Sequence, residues 1–335
     1  MSGISKTFLN SNHFPLVIEP VNKNISLSAF HLLLKEENRS IKQELLKYGA
    51  ILFRNFPIDN ANDFLGVIKG LNIGKFCDYV GGDSPRTKIV EGIYTSTEAP
   101  PSVKIGLHNE LSYAQMYPSH ILFYCDIPPV TKGETIIADA RTIYQSIDDK
   151  VRQRFIDKQL LYFSHYYGKS PLMKFIYNHF KGHKSWMDVF ETSNKAEVEM
   201  RCKENGISWK WNHSDWIEIS QLRPAVISHP KTGETVWFNQ AHLFKFTPRQ
   251  LGWWHYLAAQ LLYSRKYMRL HEMYFGDGTD IPQEDLYHIL DVLDAHTIYF
   301  PWQKGDLLLL DNILSMHGRA TFTGKRRVLT SMTQE

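Results

Sequence analysis

Runs of β-forming residues closed by turn chemistry constrain this chain most. The segment HILFYCDI, from His120, is apolar and aromatic, and ETIIADA follows from Glu134. Between them PPVTKG is a turn marked by Pro and Gly. A second pair of strands lies in RPAVISHPKTGETVWFNQ, Arg223 to Gln240, flanking the turn residues HPKTGE. Near the C-terminus GDLLLLDN and RRVLTSM are strand-like as well. Helices are expected between these runs. IKQELLKYGAILF reads as a helix ending near Gly49 and leading into a buried strand. Thr247 can cap a helix with Pro248 at its first position and Gln250 closing a capping box, and a further helix spans Gln283 to His296. Strand pairs early and late, with helices between, predict a mainly-β α+β chain. Its sheets would form a sandwich or barrel drawing on both ends of the chain, rather than a regular βαβ alternation.

Composition narrows the partners. The 335 residues include 38 basic and 35 acidic side chains, a net charge of +3, and the basic runs are as short as Lys325-Arg326-Arg327. No dense basic stripe is present, so a nucleic-acid partner is not expected. Cys77, Cys125 and Cys202 match no zinc or CxxC spacing and read as reduced thiols. The opening MSGISKTFLNSNHFP has no signal-peptide pattern, and the leucines from Leu307 to Leu310 are too few to span a bilayer. A soluble, cytoplasmic protein without a membrane partner is expected. Aromatic residues make up 13% of the chain, enough to fill a core and line a pocket.

The chemistry centres on IGLHNELSYA, Ile105 to Ala114. In a strand His108 and Glu110 point to one side and Asn109 to the other, so an imidazole nitrogen and a carboxylate oxygen can share one metal ion. Alone this signal is weak. Among 15 histidines about one or two His-x-acid triplets arise by chance, and a second one, His213-Ser214-Asp215, is present. The C-terminal segment strengthens it with Asp311-Asn312, His317 and then Arg327 at the start of an apolar strand. An arginine there needs an anion, either a structural salt-bridge partner or a ligand carboxylate held by its bidentate fork. Two histidines and one carboxylate on one face of an octahedral ion form the facial triad of non-haem Fe(II) oxygenases.

His108-x-Glu110, Gly133-Glu134-Thr135, Asp311-Asn312, His317 and GKRR up to Arg327 resemble the Fe(II)/2-oxoglutarate-dependent dioxygenases of the TauD/TfdA (taurine dioxygenase-like) superfamily. The segments GGDSPRTKIVEGIYTSTEAPP, FYCDIPP, VWFNQAHLF, YFGDGTDIP and PWQKGDLLLLDN are similar to its SyrP-like and clavaminate synthase-like subgroup. The resemblance implies a double-stranded β-helix (jelly-roll) core in a single domain over residues 1–335, with helical insertions near 145–220 and 245–296. It implies iron held by His108, Glu110 and His317, and 2-oxoglutarate held through its C5 carboxylate by Arg327 with the Thr135 hydroxyl. Together with O2 these would oxidise a small, amino-acid-like substrate, free or on an acyl or peptidyl carrier protein, and release succinate and CO2. Glu110 stands where the taurine type has Asp. Lys104 and Ser331 stand where that type has Asn and a second arginine, so taurine is not the expected substrate.

Candidate substrate contacts are Leu111, Ser112 and Tyr113 beside the metal ligands, Arg86 for a substrate carboxylate, Asn239, and Ser331. Tyr94 and Ser96 are candidates on resemblance. Glu91 reads as surface charge, and His229, His242 and the His213-Ser214-Asp215 triplet as non-ligands. Two other classes remain open at this level. One is a metal-dependent hydrolase or isomerase on a cupin-like barrel, which has no use for a dicarboxylate clamp. The other is a non-catalytic jelly-roll binding protein.

Overall fold

The computed structural model describes residues 3–77, 86–171, 185–212, 215–245, 247–262 and 269–335. Among them a large sheet joins strands from both ends of the chain. Its order is Ile4–Phe8, Leu16–Pro20, Ala50–Phe53, Leu307–Asp311, His120–Ile127, Arg327–Gln334, Ile93–Thr95 and Lys88–Val90, with Lys75–Phe76 also on Arg327–Gln334. A smaller sheet runs Thr135–Asp139, Ser315–Arg319, Ile105–His108. The two form a jelly-roll core. Ile121, Phe123, Val328 and Met332 of the large sheet share one apolar cluster with Ile137 of the small one. The outer face of the large sheet, with Leu122, Tyr124 and Leu329, packs on the helices Leu27–Glu36, Asn38–Tyr48 and Ala61–Leu71.

Because both faces of the large sheet are covered, its central strands need apolar residues at every position. Leu307 and Leu309 pack toward the helices, while Leu308 and Leu310 pack toward the small sheet. Each such leucine contributes roughly 2 kcal/mol by leaving water. The expected helix-to-strand passage is present. Asn38–Tyr48 ends at Gly49, whose φ of 74° is left-handed, and Ala50–Phe53 follows. A Cβ at Gly49 would also lie 2.7 Å from Ser315 Oγ.

The two strands around PPVTKG exist but do not pair with each other. His120–Ile127 is flanked on both edges by Leu307–Asp311 and Arg327–Gln334, whereas Thr135–Asp139 crosses to the small sheet. Both edges of the first strand are already paired, so the following run must leave for the other layer. The Val226–Ser228 and Thr235–Trp237 strands form the second hairpin as expected.

The insertions expected to be helical contain Asp149–Lys158, Lys195–Glu204 and Gln283–His296, but also a four-stranded antiparallel sheet. Its order is Ser208–Trp211, Ile217–Arg223, Leu160–Tyr166, His271–Phe275. Its signal was period-two alternation: Ile217 and Ile219 turn inward onto Trp186 and Val198 while polar neighbours face out. Gly252, at φ 76°, divides the helix expected after Thr247 into Pro248–Leu251 and Trp253–Leu262. Among the described residues no helix is long and apolar enough to cross a membrane.

Candidate active site

His108 ends the edge strand of the small sheet and pairs directly with His317 on the next strand. Their ring centroids lie 4.4 Å apart. His108 Nδ1 donates to the Gly106 carbonyl at 2.9 Å, which leaves the Nε2 lone pair for a ligand. His317 Nε2 lies 3.5 Å from Glu110 Oε2. One donor atom from each of His108, Glu110 and His317 falls within 4.8 Å of the others, a spacing suited to sharing one ion. Burial, and then the neighbouring His317, push the His108 imidazole down to about 4, so it is neutral at ordinary pH. Burial opposes ionisation of Glu110, but Arg86 and the two imidazoles outweigh it and hold the carboxyl well below the usual range.

The expectation that strand alternation brings Glu110 to the site is corrected, because the strand stops at His108. Asn312 places it instead. The Asn312 side chain accepts from Glu110 N at 2.8 Å and donates to Glu110 O at 3.0 Å and Pro118 O at 2.9 Å. Asn109 donates to the Asn312 and Ser315 carbonyls, and Gln240 donates to Asn109 O at 2.8 Å. Asp311 in turn accepts from Ile313 N and Leu314 N and meets His229 Nε2 at 3.1 Å. The Asp311-Asn312 pair is therefore a bracket for the ligand loop. His242, buried and pushed down to about 4, belongs to the same scaffold through its Nε2 donation to Leu107 O.

A small cavity opens beside the cluster. His108, His317, Phe123 and Arg86 line it, as do Thr135, Ser96, Arg319 and Arg326. The arginine in it is thus Arg326, and the assignment of Arg327 to the clamp is corrected. Arg327 is 56% exposed and pairs with Asp126 on the outer face of the sheet. Side chains alternate along a strand, so Arg326 shares the inner face with Val328 and Met332, and Arg327 the outer face with Leu329. Arg326 Nε donates to Gly133 O at 2.9 Å. No carboxylate among the described residues forms a salt bridge with it. Burial, then Arg319, lower its guanidinium to about 10, so it remains charged.

The substrate candidates divide. Arg86 reaches the cavity and donates to Glu110 Oε2 at 2.9 Å. Ser96 lines it as well, but Tyr94 does not. Ser331 is corrected: its outer-face hydroxyl is buried and donates to Gly92 O. Asn239 is corrected too, because its amide donates to Ala225 O and accepts from Ala241 N, a turn-capping arrangement. Leu111, Ser112 and Tyr113 lie outside the cavity lining. Leu111, at φ 55°, turns the chain away, and the Tyr113 ring packs 5.5 Å from Phe244. Glu91 sits at the surface with Lys69, and Asp215 with Lys195. His213 and Ser214 lie outside the described residues. Sequence reading missed Arg326 and Arg319. Arg319, buried on the strand of His317, donates to the carbonyls of Thr97, Ala99, Pro100 and Val103 and so ties that loop to the cavity rim.

The residues present fit both absent groups. Two imidazoles and an ionised carboxylate bring their donor atoms together, and a charged arginine without a carboxylate partner among the described residues lines the same cavity as Thr135. The family model described as taurine catabolism dioxygenase TauD, TfdA family matches residues 12–333. The chain belongs to the TauD/TfdA dioxygenase family. This TauD/TfdA dioxygenase uses Fe(II) and 2-oxoglutarate, and the hydrolase and binding-protein readings fall away. It is 35% identical to the dapdiamide synthesis protein DdaC of Enterobacter agglomerans over 292 residues, 87% of this chain and 84% of that one. It is 30% identical to a clavaminate synthase-like protein of Arabidopsis thaliana over 336 residues, 96% of this chain and 94% of that one. Solved structures share the fold at low identity. AAD-2 in complex with Mn(II) and N-oxalylglycine matches with a TM-score of 0.56 at 14% identity, covering 98% of this chain and 96% of that one. PvcB of Pseudomonas aeruginosa matches with a TM-score of 0.56 at 14% identity, covering 99% and 92%.

Proposed function

We propose that this dioxygenase oxidises a small, amino-acid-like substrate in a specialised-metabolite pathway. In this reading His108, Glu110 and His317 are the iron ligands, and Arg326 with Thr135 holds the C5 carboxylate of 2-oxoglutarate. The observation that carries it is one cavity lined at once by the two histidines and by an arginine without a carboxylate partner among the described residues. The name of DdaC, a dapdiamide synthesis protein, supports an amino-acid-like substrate.

Bound Fe(II) and 2-oxoglutarate supply the oxidant: with O2 the keto acid becomes succinate and CO2, one oxygen atom entering succinate and the other the substrate. The chain's own residues do the positioning. The Gly106 carbonyl fixes the His108 tautomer, and Asn312 fixes the backbone that carries Glu110. The guanidinium of Arg326 offers a fixed fork to a carboxylate, as an ammonium could not. Phe123, 5.2 Å from the His317 ring, keeps one wall of the cavity apolar.

The test is succinate release from 2-oxoglutarate under air, with Fe(II), across a panel of amino acids, followed by mass spectrometry of the products. An iron-dependent release that one amino acid accelerates, with a product heavier by one oxygen, is expected. Succinate release that no amino acid accelerates would refute the substrate class. Absence of any 2-oxoglutarate consumption would refute the cofactor roles of these residues.

A further inference from the structure

Two arginines of the cavity rest on one aromatic ring. The guanidinium carbon of Arg319 stands over the Phe322 ring, 5.1 Å from its centroid, and that of Arg326 stands over the same ring at 5.6 Å. Both distances fall inside the range in which the negative face of an aromatic ring attracts a cation. Arg319 and Arg326 line the cavity, whereas Phe322 does not. The ring therefore acts on the cavity through the two side chains that lie over it.

The chain around Phe322 holds it in place. The short strand Phe322–Thr323 pairs with Thr131–Lys132, and Phe322 N donates to Pro101 O at 3.1 Å. Gly133 N donates to Thr321 O at 3.0 Å, and Gly133 O accepts from Arg326 Nε at 2.9 Å. Gly133 has a φ of 74°, and a Cβ there would lie 2.7 Å from Phe322 Cβ. Glycine meets both demands, the left-handed backbone and the close approach. One turn thus packs against the phenylalanine and supplies the carbonyl that fixes Arg326.

Electrostatics explain why the neighbour is aromatic. Arg319 donates to four carbonyls of the 97–103 loop, and Arg326 donates to Gly133 O and, at 3.5 Å, to Ser96 Oγ. Neither forms a salt bridge with a carboxylate among the described residues. Burial, and then Arg319, weigh against the charge on Arg326. A phenyl face offsets part of that cost for both cations. It does so without a negative charge that would compete with an incoming carboxylate.

We propose that Phe322 is a positioning residue for 2-oxoglutarate: its aromatic face fixes the Arg326 guanidinium to receive the co-substrate carboxylate, with Arg319 held on the same ring. This rests on the oxygenase reading above, with Arg326 as the clamp, and deepens it. The effect falls on affinity for the co-substrate and spares the metal ligands.

The test measures the Kd of 2-oxoglutarate by anaerobic titration of the visible charge-transfer absorption of the Fe(II)-loaded enzyme. Mn(II) affinity is measured beside it by electron paramagnetic resonance. Phe322→Tyr keeps the ring, and Phe322→Leu keeps apolar bulk without it. Monofluoro- and trifluorophenylalanine at position 322 keep the shape but weaken the ring's negative face. Phe322→Leu should weaken 2-oxoglutarate binding by about 3- to 30-fold, Phe322→Tyr should stay within about twofold of the wild type, and Kd should rise stepwise with fluorination. The loss should appear in KM for 2-oxoglutarate rather than in kcat, with Mn(II) affinity kept. A wild-type Kd in the trifluoro variant overturns the proposal, and so does an equal loss in Phe322→Tyr and Phe322→Leu. If Phe322→Leu fails to fold, the fluorinated pair decides. Arg326→Ala separates this proposal from the reading beneath it. Wild-type 2-oxoglutarate affinity in Arg326→Ala overturns the clamp and this proposal together. Weakened binding in Arg326→Ala beside unchanged binding in the fluorinated variants overturns this proposal alone.

Discussion

Arg326 and Arg327 are neighbours in sequence and project from opposite faces of the sheet. Arg326 lines the cavity with Thr135, while Arg327 faces out and pairs with Asp126. The two substitutions should therefore separate cleanly. Arg326→Ala should raise KM for 2-oxoglutarate by roughly 100-fold, the scale of losing a charged partner in a buried site. Arg327→Ala should leave it within about twofold and cost about 1 kcal/mol of stability, since the Arg327 side chain is 56% exposed although Asp126 is buried. Steady-state titration of 2-oxoglutarate decides, and a large effect in Arg327→Ala alone would reverse the assignment.

Asn312 touches no ligand atom, yet it holds the Glu110 backbone from both sides. Asn312→Ala should lower affinity for Mn(II) by about 10- to 100-fold, as loss of an outer-shell support does. It should also destabilise the fold by roughly 3 kcal/mol, because buried backbone groups lose their partners. Mn(II) titration by electron paramagnetic resonance, with urea unfolding beside it, checks both. Wild-type metal affinity in a folded Asn312→Ala would dismiss the bracket.

Much of this was legible in the chain. Leu307–Leu310 carries no alternation because both faces of its strand are buried, and that alone marks a sandwich interior. His108, Glu110 and His317 were identifiable by residue type, although Glu110 arrives through a turn braced by Asn312 rather than by strand geometry. The arginine pair was not resolved. A one-position error in strand phase sends every side chain to the opposite face, so placing Arg327 inward carried Ser331 inward with it. The phase was available in the residues that follow, since Val328 packs toward the small sheet and Leu329 toward the helices. Arg319 was out of reach because its partners are four loop carbonyls, and backbone acceptors leave no trace in residue identity.

That loop gives a prediction of its own. Arg319 supplies donors to Thr97, Ala99, Pro100 and Val103. Arg319→Met removes them all while keeping an apolar stem. Amide hydrogen exchange across 97–104 should accelerate by about tenfold or more, while exchange in the Ala61–Leu71 helix stays unchanged. Equal exchange in the loop of variant and parent would show that it is held by other contacts.

His242 links the site to pH. It is buried, donates to Leu107 O, and is pushed down to about 4 by its burial. Its folded value lies below the ordinary 6.5, so the unfolded chain takes up its proton first as pH falls. The contribution is full above about pH 6.5 and is lost progressively down to pH 4, by up to roughly 3 kcal/mol. Urea unfolding of the metal-free protein between pH 7 and pH 4.5 should show that decline, and His242→Gln should flatten part of it. The same slope in His242→Gln would assign the proton to another group.

In the proposed function iron and 2-oxoglutarate meet at His108, Glu110 and His317. Anaerobic addition of Fe(II) and then 2-oxoglutarate should give visible charge-transfer absorption in the wild type, and none in a folded His108→Ala or His317→Ala. An absorption of wild-type intensity in either variant, or none in the wild type itself, would contradict it.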